Sequence, residues 1–403
     1  MAALLIFFAT YLTLALGRFP GLRVDRTGAA IIGASLMIAS GALGFEEALK
    51  AVDWPTIVLL LGMMIVVSNL RLSRFFRLTA DWVVRRTHHP RTLLAGVIAV
   101  SGVLSALFVN DTICLVMTPL VIEITLALRR NPVPYLLGVA MAANCGSVAT
   151  ITGNPQNMMI GAMSRIPYPV FASALAPVAA FSLAATWVVL RLAFRAEFDS
   201  RFLAIPPDQR LRLIRPLLWK SLAVAAGMVA FFFAGTPVAQ TSIVAGALML
   251  ITRRVKPEKI YEDVDWALLA MFAGLFIVVA GVEKTRLEEE LFRFAASFHL
   301  DRIPVLAFFS AALSNVVSNV PAVLVFKPVI ARLANPETGW LTLAMSSTLA
   351  GNFTILASVA NLIVVEKAKP GGAVITFQDY FRAGAPLTVI TLAFGVFWLS
   401  WTR

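Results

Sequence analysis

Apolar runs of 17 or more residues recur along the whole of this 403-residue chain, and they constrain its fold more than any other feature. As a helix, each run is long enough to cross the roughly 30 Å hydrocarbon core of a bilayer. Charged residues make up 14% of the chain and hydrophobic ones 59%, whereas soluble domains carry about a quarter charged residues. The chain therefore reads as an all-α polytopic membrane protein. Residues 1–17 lack a basic leader region, and Arg18, Arg23 and Arg26 follow the apolar run. That order suits a first membrane helix better than a cleaved signal.

Spans are expected at roughly 1–17, 27–44, 54–70, 134–164, 168–190, 217–234, 237–252, 266–282, 339–365 and 384–401. Two further apolar stretches, 92–128 and 303–331, carry polar interruptions, "FVNDT" at 108–112 and "NVVSNVP" at 315–321. Each is expected to form a re-entrant hairpin. Two extra full crossings per half is the alternative that hydropathy also accepts. With the first residue placed outside, 25 of the 34 Lys and Arg fall in cytoplasmic loops, eight fall outside and Lys327 lies within a hairpin. Orientation follows this asymmetry, so both termini are expected outside. The net charge of +12 is then a topology signal, and no nucleic-acid partner is expected.

The chain also repeats itself. "VDWPTIVLLLGMMIVV" at 52–67 returns as "VDWALLAMFAGLFIVV" at 264–279, and "LSALFVNDTICLVMTPLV" at 104–121 returns as "LSNVVSNVPAVLVFKPVI" at 313–330. "AMAANCGSVATITGNPQN" at 140–157 returns as "AMSSTLAGNFTILASVAN" at 344–361. The offsets of 212, 209 and 204 residues keep the same order. Five crossings per half invert the second half relative to the first. The basic connector 71–91 and its more acidic counterpart "EKTRLEEELFRF" at 283–294 agree with that inversion. The expected organisation is a first repeat at 1–194 with hairpin 92–128 and broken helix 134–164. A cytoplasmic linker at 195–216 leads to a second repeat at 217–403 with hairpin 303–331 and broken helix 339–365. Two inverted repeats of five transmembrane helices plus one re-entrant hairpin each, with broken helices at the midplane, are the architecture of secondary transporters.

The span 134–164 would be some 45 Å long as one helix, and "TGNPQN" at 152–157 interrupts it. Backbone freed at such a break is tolerated only where protein, water or a ligand satisfies it. Four polar clusters converge on the breaks and hairpin tips: Asn110, Asp111 and Thr112; Thr150, Thr152, Asn154 and Asn157; Ser314, Asn315, Ser318 and Asn319; and Asn352, Thr354, Ser358 and Asn361. Amides and hydroxyls donate and accept alike, which suits a neutral polyhydroxylated solute or a weakly hydrated oxyanion. The same groups could instead serve the broken backbone. Asp111 has Val320 as its counterpart. Because an ionisable residue inside a membrane is costly and by default functional, it is the first candidate for carrying a coupling proton. A sodium ligand and a hairpin-tip cap are the competing roles.

Cys114 and Cys145 lie in apolar surroundings with no metal-ligand spacing. They read as small hydrophobes or as thiol contacts for a thiophilic solute. Glu123 and Lys327 read as an ion pair or as snorkelling side chains, and His88 and His89 as solvated loop residues. No P-loop, HExxH, GxSxG or zinc spacing is present. The chain is therefore not expected to be an enzyme or to need a cofactor or metal, and transport would be driven by an ion gradient or be passive.

"FVNDTICLVMTPLVIEI", "GSVATITGNPQNMMIG" and "GNFTILASVANLIVVEKA" resemble signature segments of the ion transporter superfamily. They are most similar to the branch of the arsenite/antimonite efflux permeases (ArsB) and NhaD-type sodium/proton antiporters, and more distantly to the dicarboxylate/sulfate symporters. The resemblance covers nearly the whole chain. It implies scaffold and transport regions, a midplane site between hairpin tips and broken helices, and a bacterial or archaeal cytoplasmic (inner) membrane. A homodimer and, as in arsenic-resistance systems, a soluble ATPase partner are further implications. The Ser-Asn-Thr sodium-site motifs of the dicarboxylate branch are absent. Thr-Gly-Asn and Ala-Ser-Val stand in their place, and no arginine is placed to clamp a carboxylate. The expected activity is arsenite and antimonite efflux in exchange for protons. The alternatives are a sodium- or proton-coupled anion transporter and a sodium/proton antiporter.

Overall fold

The computed structural model describes residues 2–17, 23–199, 214–285, 293 and 297–403. Arg18, most of the expected linker 195–216 and most of the acidic connector 283–294 lie outside the described residues. Within them the chain forms helices and no β-strand. The first half comprises α1 (Ala2–Leu16), α2 (Arg26–Ala39), α3 (Phe45–Ala51), α4 (Trp54–Leu72), α5 (Phe75–Arg86), α6 (Pro90–Leu107), α7 (Asn110–Ala127), α8 (Pro132–Ser147), α9 (Pro155–Ser164), α10 (Tyr168–Ala193) and α11 (Arg195–Phe198). The second comprises α12 (Arg215–Phe233), α13 (Val238–Leu250), α14 (Pro257–Tyr261), α15 (Trp266–Glu283), α16 (Ile303–Val317), α17 (Asn319–Ile330), α18 (Pro336–Ala350), α19 (Val359–Ala368) and α20 (Phe377–Thr402).

Local chemistry sets many of these starts. The side chains of Asp25, Asp53, Asn131, Asn154 and Asp265 each accept a hydrogen bond from a backbone amide of the first turn they precede. Proline stands in the first turn of α4, α6, α8 and α9. Such caps supply partners for amides that the helix itself leaves unpaired, and a proline there removes one of them.

The repeat is visible in the packing. α4 lies along α13 and α15 along α2, so each half embraces its inverted copy. Small residues bring these helices close, as is usual inside membranes. Gly62 abuts the backbone of Ser242, and its repeat counterpart Gly274 abuts the backbone of Ala30. Hydrogen bonds order the two faces. Arg71 and Ser68, late in α4, both bind Asp263 just ahead of α15. At the other face, Lys284 beyond the end of α15 binds Glu47 of α3 at 2.6 Å.

The hairpins enter from opposite faces. Glu123 near the base of α7 pairs with Arg77 of α5 at 2.6 Å, and Lys327 near the base of α17 pairs with Glu283 at 2.9 Å. These two residues therefore form separate ion pairs. α6 and α7 are 18 residues each, long enough to cross a bilayer. Their connection stops at the helix break nonetheless: the Thr150 hydroxyl donates to the Ala106 carbonyl, and Asn110 bonds Asn144 of α8. The stretch thus turns back at the α8/α9 break, as a hairpin does. The expected broken helices are α8/α9 and α18/α19, each interrupted by a short 3-10 turn, at Ile151–Gly153 and Ile355–Ala357.

Gly146 of α8 lies directly on the backbone of Gly102 of α6, and a Cβ there would collide with the Gly102 carbonyl. Backbone cannot move aside as a side chain can. Gly146→Ala is expected to lower stability by about 2 kcal/mol, in the range of an overpacked core. Thermal unfolding of the purified protein in detergent would register this as a fall in Tm.

Candidate functional site

The site begins with carbonyls that the broken helices leave unpaired. Asn157, early in α9, donates through Nδ2 to the carbonyls of Ser147 (3.1 Å) and Thr150 (3.0 Å). Its counterpart Asn361, early in α19, donates to those of Gly351 (2.6 Å) and Thr354 (3.0 Å). Each asparagine staples its own break. Asn154 caps α9 by accepting from the Asn157 amide at 2.8 Å.

The breaks are also tied to each other. Asn144 of α8 donates to Asn352 Oδ1 (3.0 Å) and Asn361 Oδ1 (3.1 Å), and accepts from Asn110 Nδ2 and Ser358 Oγ (both 3.2 Å). Its repeat counterpart, Thr348 of α18, accepts from Asn154 Nδ2 (3.2 Å) and Gln156 Nε2 (3.1 Å) and donates to Asn157 Oδ1 (3.5 Å). Each unbroken first segment therefore reaches into the break of the opposite half. Neither Asn144 nor Thr348 stands out in the sequence, whereas Gln156 belongs to the polar interruption at 152–157. The available signal was an asparagine buried in the apolar run "AMAANCGS", aligned with a hydroxyl.

Against this frame lies a cavity of about 240 Å³. Its polar wall comprises Asn110, Asp111, Gln156, Ser318, Asn319 and Ser358 from the hairpin tips and breaks, with Arg26, Thr27 and Asp265 from the ends of α2 and α15. The N-terminal turns of α7, α9, α17 and α19 all border it. It opens toward the face where α1 ends and α2 and α15 begin. A larger groove of about 740 Å³, around Asn131, Phe194, Glu197 and Arg382, touches none of the break residues. It is left aside on that ground.

The expected site residues divide accordingly. Asn110, Asp111, Ser318, Asn319 and Ser358 line the cavity. The half-buried Asp111 carboxylate accepts no hydrogen bond from the described residues. Ser318 holds a φ of +76° at the second hairpin tip, a backbone state costing a non-glycine residue on the order of 1–3 kcal/mol and typical of functional sites. Thr112, Thr150, Thr152, Asn154, Asn157, Asn315, Asn352, Thr354 and Asn361 stand off the cavity. Most of their polar groups are spent on the frame: Thr152 meets the Tyr168 hydroxyl at 2.9 Å, and Asn315 donates to the Ala311 and Ala350 carbonyls. Ser314, also off the cavity, donates to Asn319 Oδ1 at 2.7 Å. Of the two readings of the cysteines, burial favours the small hydrophobe. Cys114 and Cys145 are fully buried behind the wall, and Cys145 accepts from Asn352 Nδ2 at 3.2 Å.

Inverted helical repeats whose opposed hairpins and broken helices meet around one cavity define a multi-pass secondary-transporter fold. The comparisons agree and add a family. A family model described as citrate transporter (CitMHS) matches residues 4–350, and the chain belongs to that family. It is 30% identical to the uncharacterized transporter Rv2684 of Mycobacterium tuberculosis, over 100% of this chain and 98% of that one. It is 28% identical to the silicon efflux transporter LSI3 of Oryza sativa subsp. japonica, over 94% and 93% of the two chains. Among solved structures, the YdaH transporter of Alcanivorax borkumensis superposes with a TM-score of 0.64 at 14% identity, covering 99% of this chain and 97% of that chain. At that identity the likeness speaks for the fold alone.

Asn144 joins four partners inside a region without bulk water, so its loss strands several polar groups at about 1–3 kcal/mol each. Asn144→Ala is expected to cost at least about 3 kcal/mol, whereas Thr112→Ala, off both frame and cavity, should stay within about 1 kcal/mol. Thermal melts of the two variants in detergent compare them directly.

Proposed function

We propose that the protein is a secondary active transporter that exports arsenite and antimonite, carried as uncharged trivalent hydroxides, in exchange for protons. The observation that carries this reading is the lining of the cavity. Its tips and breaks offer amides and hydroxyls (Asn110, Gln156, Ser318, Asn319, Ser358) and a single carboxylate, Asp111. A small hydroxide with several O–H groups can both donate to and accept from such a wall. The family's name refers to citrate, but a tricarboxylate suits this cavity poorly. Among the described residues, Arg26 is the one basic side chain on its wall, against the two acids Asp111 and Asp265. A relative's name gives silicon efflux; silicon, like trivalent arsenic and antimony, exists in neutral water as an uncharged hydroxide. The Lys/Arg distribution supports an open mouth facing the cytoplasm, the loading side of an exporter. Asp111 then carries the coupling proton.

A second reading, carriage of an inorganic or organic anion, draws support from the four helix N-termini at the cavity, whose partial positive charge favours anions.

In proteoliposomes with an imposed pH gradient, wild type is expected to drive arsenite uphill. Asp111→Asn should lose uphill transport and keep downhill exchange. Arsenite that never moves in wild type would sink the metalloid reading, and uptake of citrate or phosphate by the same vesicles would then test the anion reading.

A further inference from the structure

The tripeptide "VDW" at 52–54 recurs at 264–266, and the proposed transport role leaves both aspartates unused. Each caps its helix: Asp53 Oδ1 accepts from the Thr56 amide at 3.3 Å, Asp265 Oδ1 from the Leu268 amide at 2.9 Å. α4 and α15 run in opposite directions, because the end of α4 is bonded to Asp263 at the start of α15. The two aspartates therefore lie at opposite faces, separated by the 19 residues of α4, about 28 Å of helix rise.

Their surroundings differ as two states of one mouth would differ. Asp265 is exposed and shares the cavity wall with Asp111 and Arg26, while Leu268 and Met271 on the next turns are half-exposed cavity lining. Asp263, two residues before it, is engaged by Arg71 and Ser68. Asp53 is half-buried, and the repeat equivalents of Leu268 and Met271, namely Thr56 and Leu59, are fully buried. On the same face, Lys327 on α17 is paired with Glu283 at the end of α15 at 2.9 Å. Other described charged groups of that face include Glu46, Glu47 and Lys50 on α3 and Lys284 after α15, with Glu47 and Lys284 paired at 2.6 Å, and, farther along the chain, Arg165, Arg302, Arg332, Glu337 and Arg403.

We propose that Asp265 and Asp53 are alternating mouth carboxylates, each passing protons between its own aqueous face and Asp111 only while the cavity is open on that side. The inference rests on the proton-coupled reading of the cavity. A proton from water binds the mouth carboxylate and then moves to the Asp111 carboxylate, leaving the mouth aspartate ionised. The reverse sequence at the other face discharges it, and no other bond changes. Opening toward Asp53 requires the Lys327–Glu283 pair to part, because it joins a hairpin arm to α15 at that mouth. A cap alone does not require a charge, since asparagine caps as well as aspartate. Asp→Asn thus removes the titrating group and keeps the helix start.

Two measurements test this. In the first, Met271→Cys and its equivalent Leu59→Cys are labelled with a membrane-impermeant maleimide in vesicles of both orientations. Both native cysteines are buried. Met271→Cys should label only from the face of Asp265, and Leu59→Cys only from the other. Adding Lys327→Met should speed labelling of Leu59→Cys by up to about fivefold, the most that a half-exposed ion pair supports. In the second, arsenite–proton exchange is followed while pH is varied on one side at a time. Asp265→Asn should depress flux about tenfold or more when protons are limiting at its own face only, Asp53→Asn should do so at the opposite face only, and glutamate at either position should restore it. An asparagine variant that leaves exchange unchanged, or alters both faces alike, overturns the inference, as does a Leu59→Cys that never labels. If labelling alternates but wild type moves no arsenite, the alternating mouths stand and the metalloid reading falls.

Discussion

The structure depends on how two helices can break in the middle of a membrane. A backbone carbonyl without a partner in that setting costs several kcal/mol, and each break frees more than one. Asn157 and Asn361 answer this by giving both amide hydrogens to carbonyls seven and ten residues upstream in their own breaks. Neither break would be tolerable alone, and the cross-braces through Asn144 and Thr348 make each dependent on the other half. The four helix N-termini at the cavity exist only because the helices are held interrupted in this way.

This frame divides the molecule mechanically. α6 to α9 and α16 to α19 are knitted by buried hydrogen bonds between hairpins and breaks. α2, α4, α13 and α15 instead meet largely through small residues and apolar side chains, with Asp263 holding Arg71 and Ser68 as a polar tie at one end. Polar networks in a low-dielectric interior are directional and costly to break, while apolar surfaces against one another are not directional. Sliding of the knitted group along the apolar one leaves the buried hydrogen bonds of the breaks intact and parts peripheral ties such as the Lys327–Glu283 pair, and an inverted repeat is the arrangement on which alternating access by such rigid-body movement is built.

Much of this was legible in the sequence. Three collinear repeats gave the inverted halves, the interruptions at 108–112 and 315–321 gave the hairpin tips, and "TGNPQN" gave a break. The sequence could not apportion the polar residues between frame and cavity. Asn154 and Asn157 look as available for a solute as Asn110 does, until the break's own carbonyls are seen to use them. Asn144 was hidden because one amide within an apolar run resembles any helix-packing residue. Arg26 reads as a topology-setting charge, and Asp265 as part of the repeated segment at 264–279. Only the parallel packing of α2 on α15, beside the end of α1, brings them to the hairpin tips. Periodicity along the chain carries no record of that approach.

The departures from symmetry matter as much as the symmetry. A backbone repeated upside down supplies two end states of equivalent geometry, so any difference between them comes from side chains. The first half places Asp111 and Gln156 on the cavity wall where the second half has Val320 and Ala360, and the second half has Lys327 where the first has Thr118. On the proton-coupled reading, the load that matters sits on one wall only. An ionised Asp111 must be moved as a charge through a region hostile to charges, whereas a protonated one need not be. Occupancy by a proton thereby changes which movements are affordable, and a neutral solute on the same wall inherits its direction from the proton. Coupling of this kind needs a single titrating group at the centre and a symmetric frame around it, which is the division of labour these residues display.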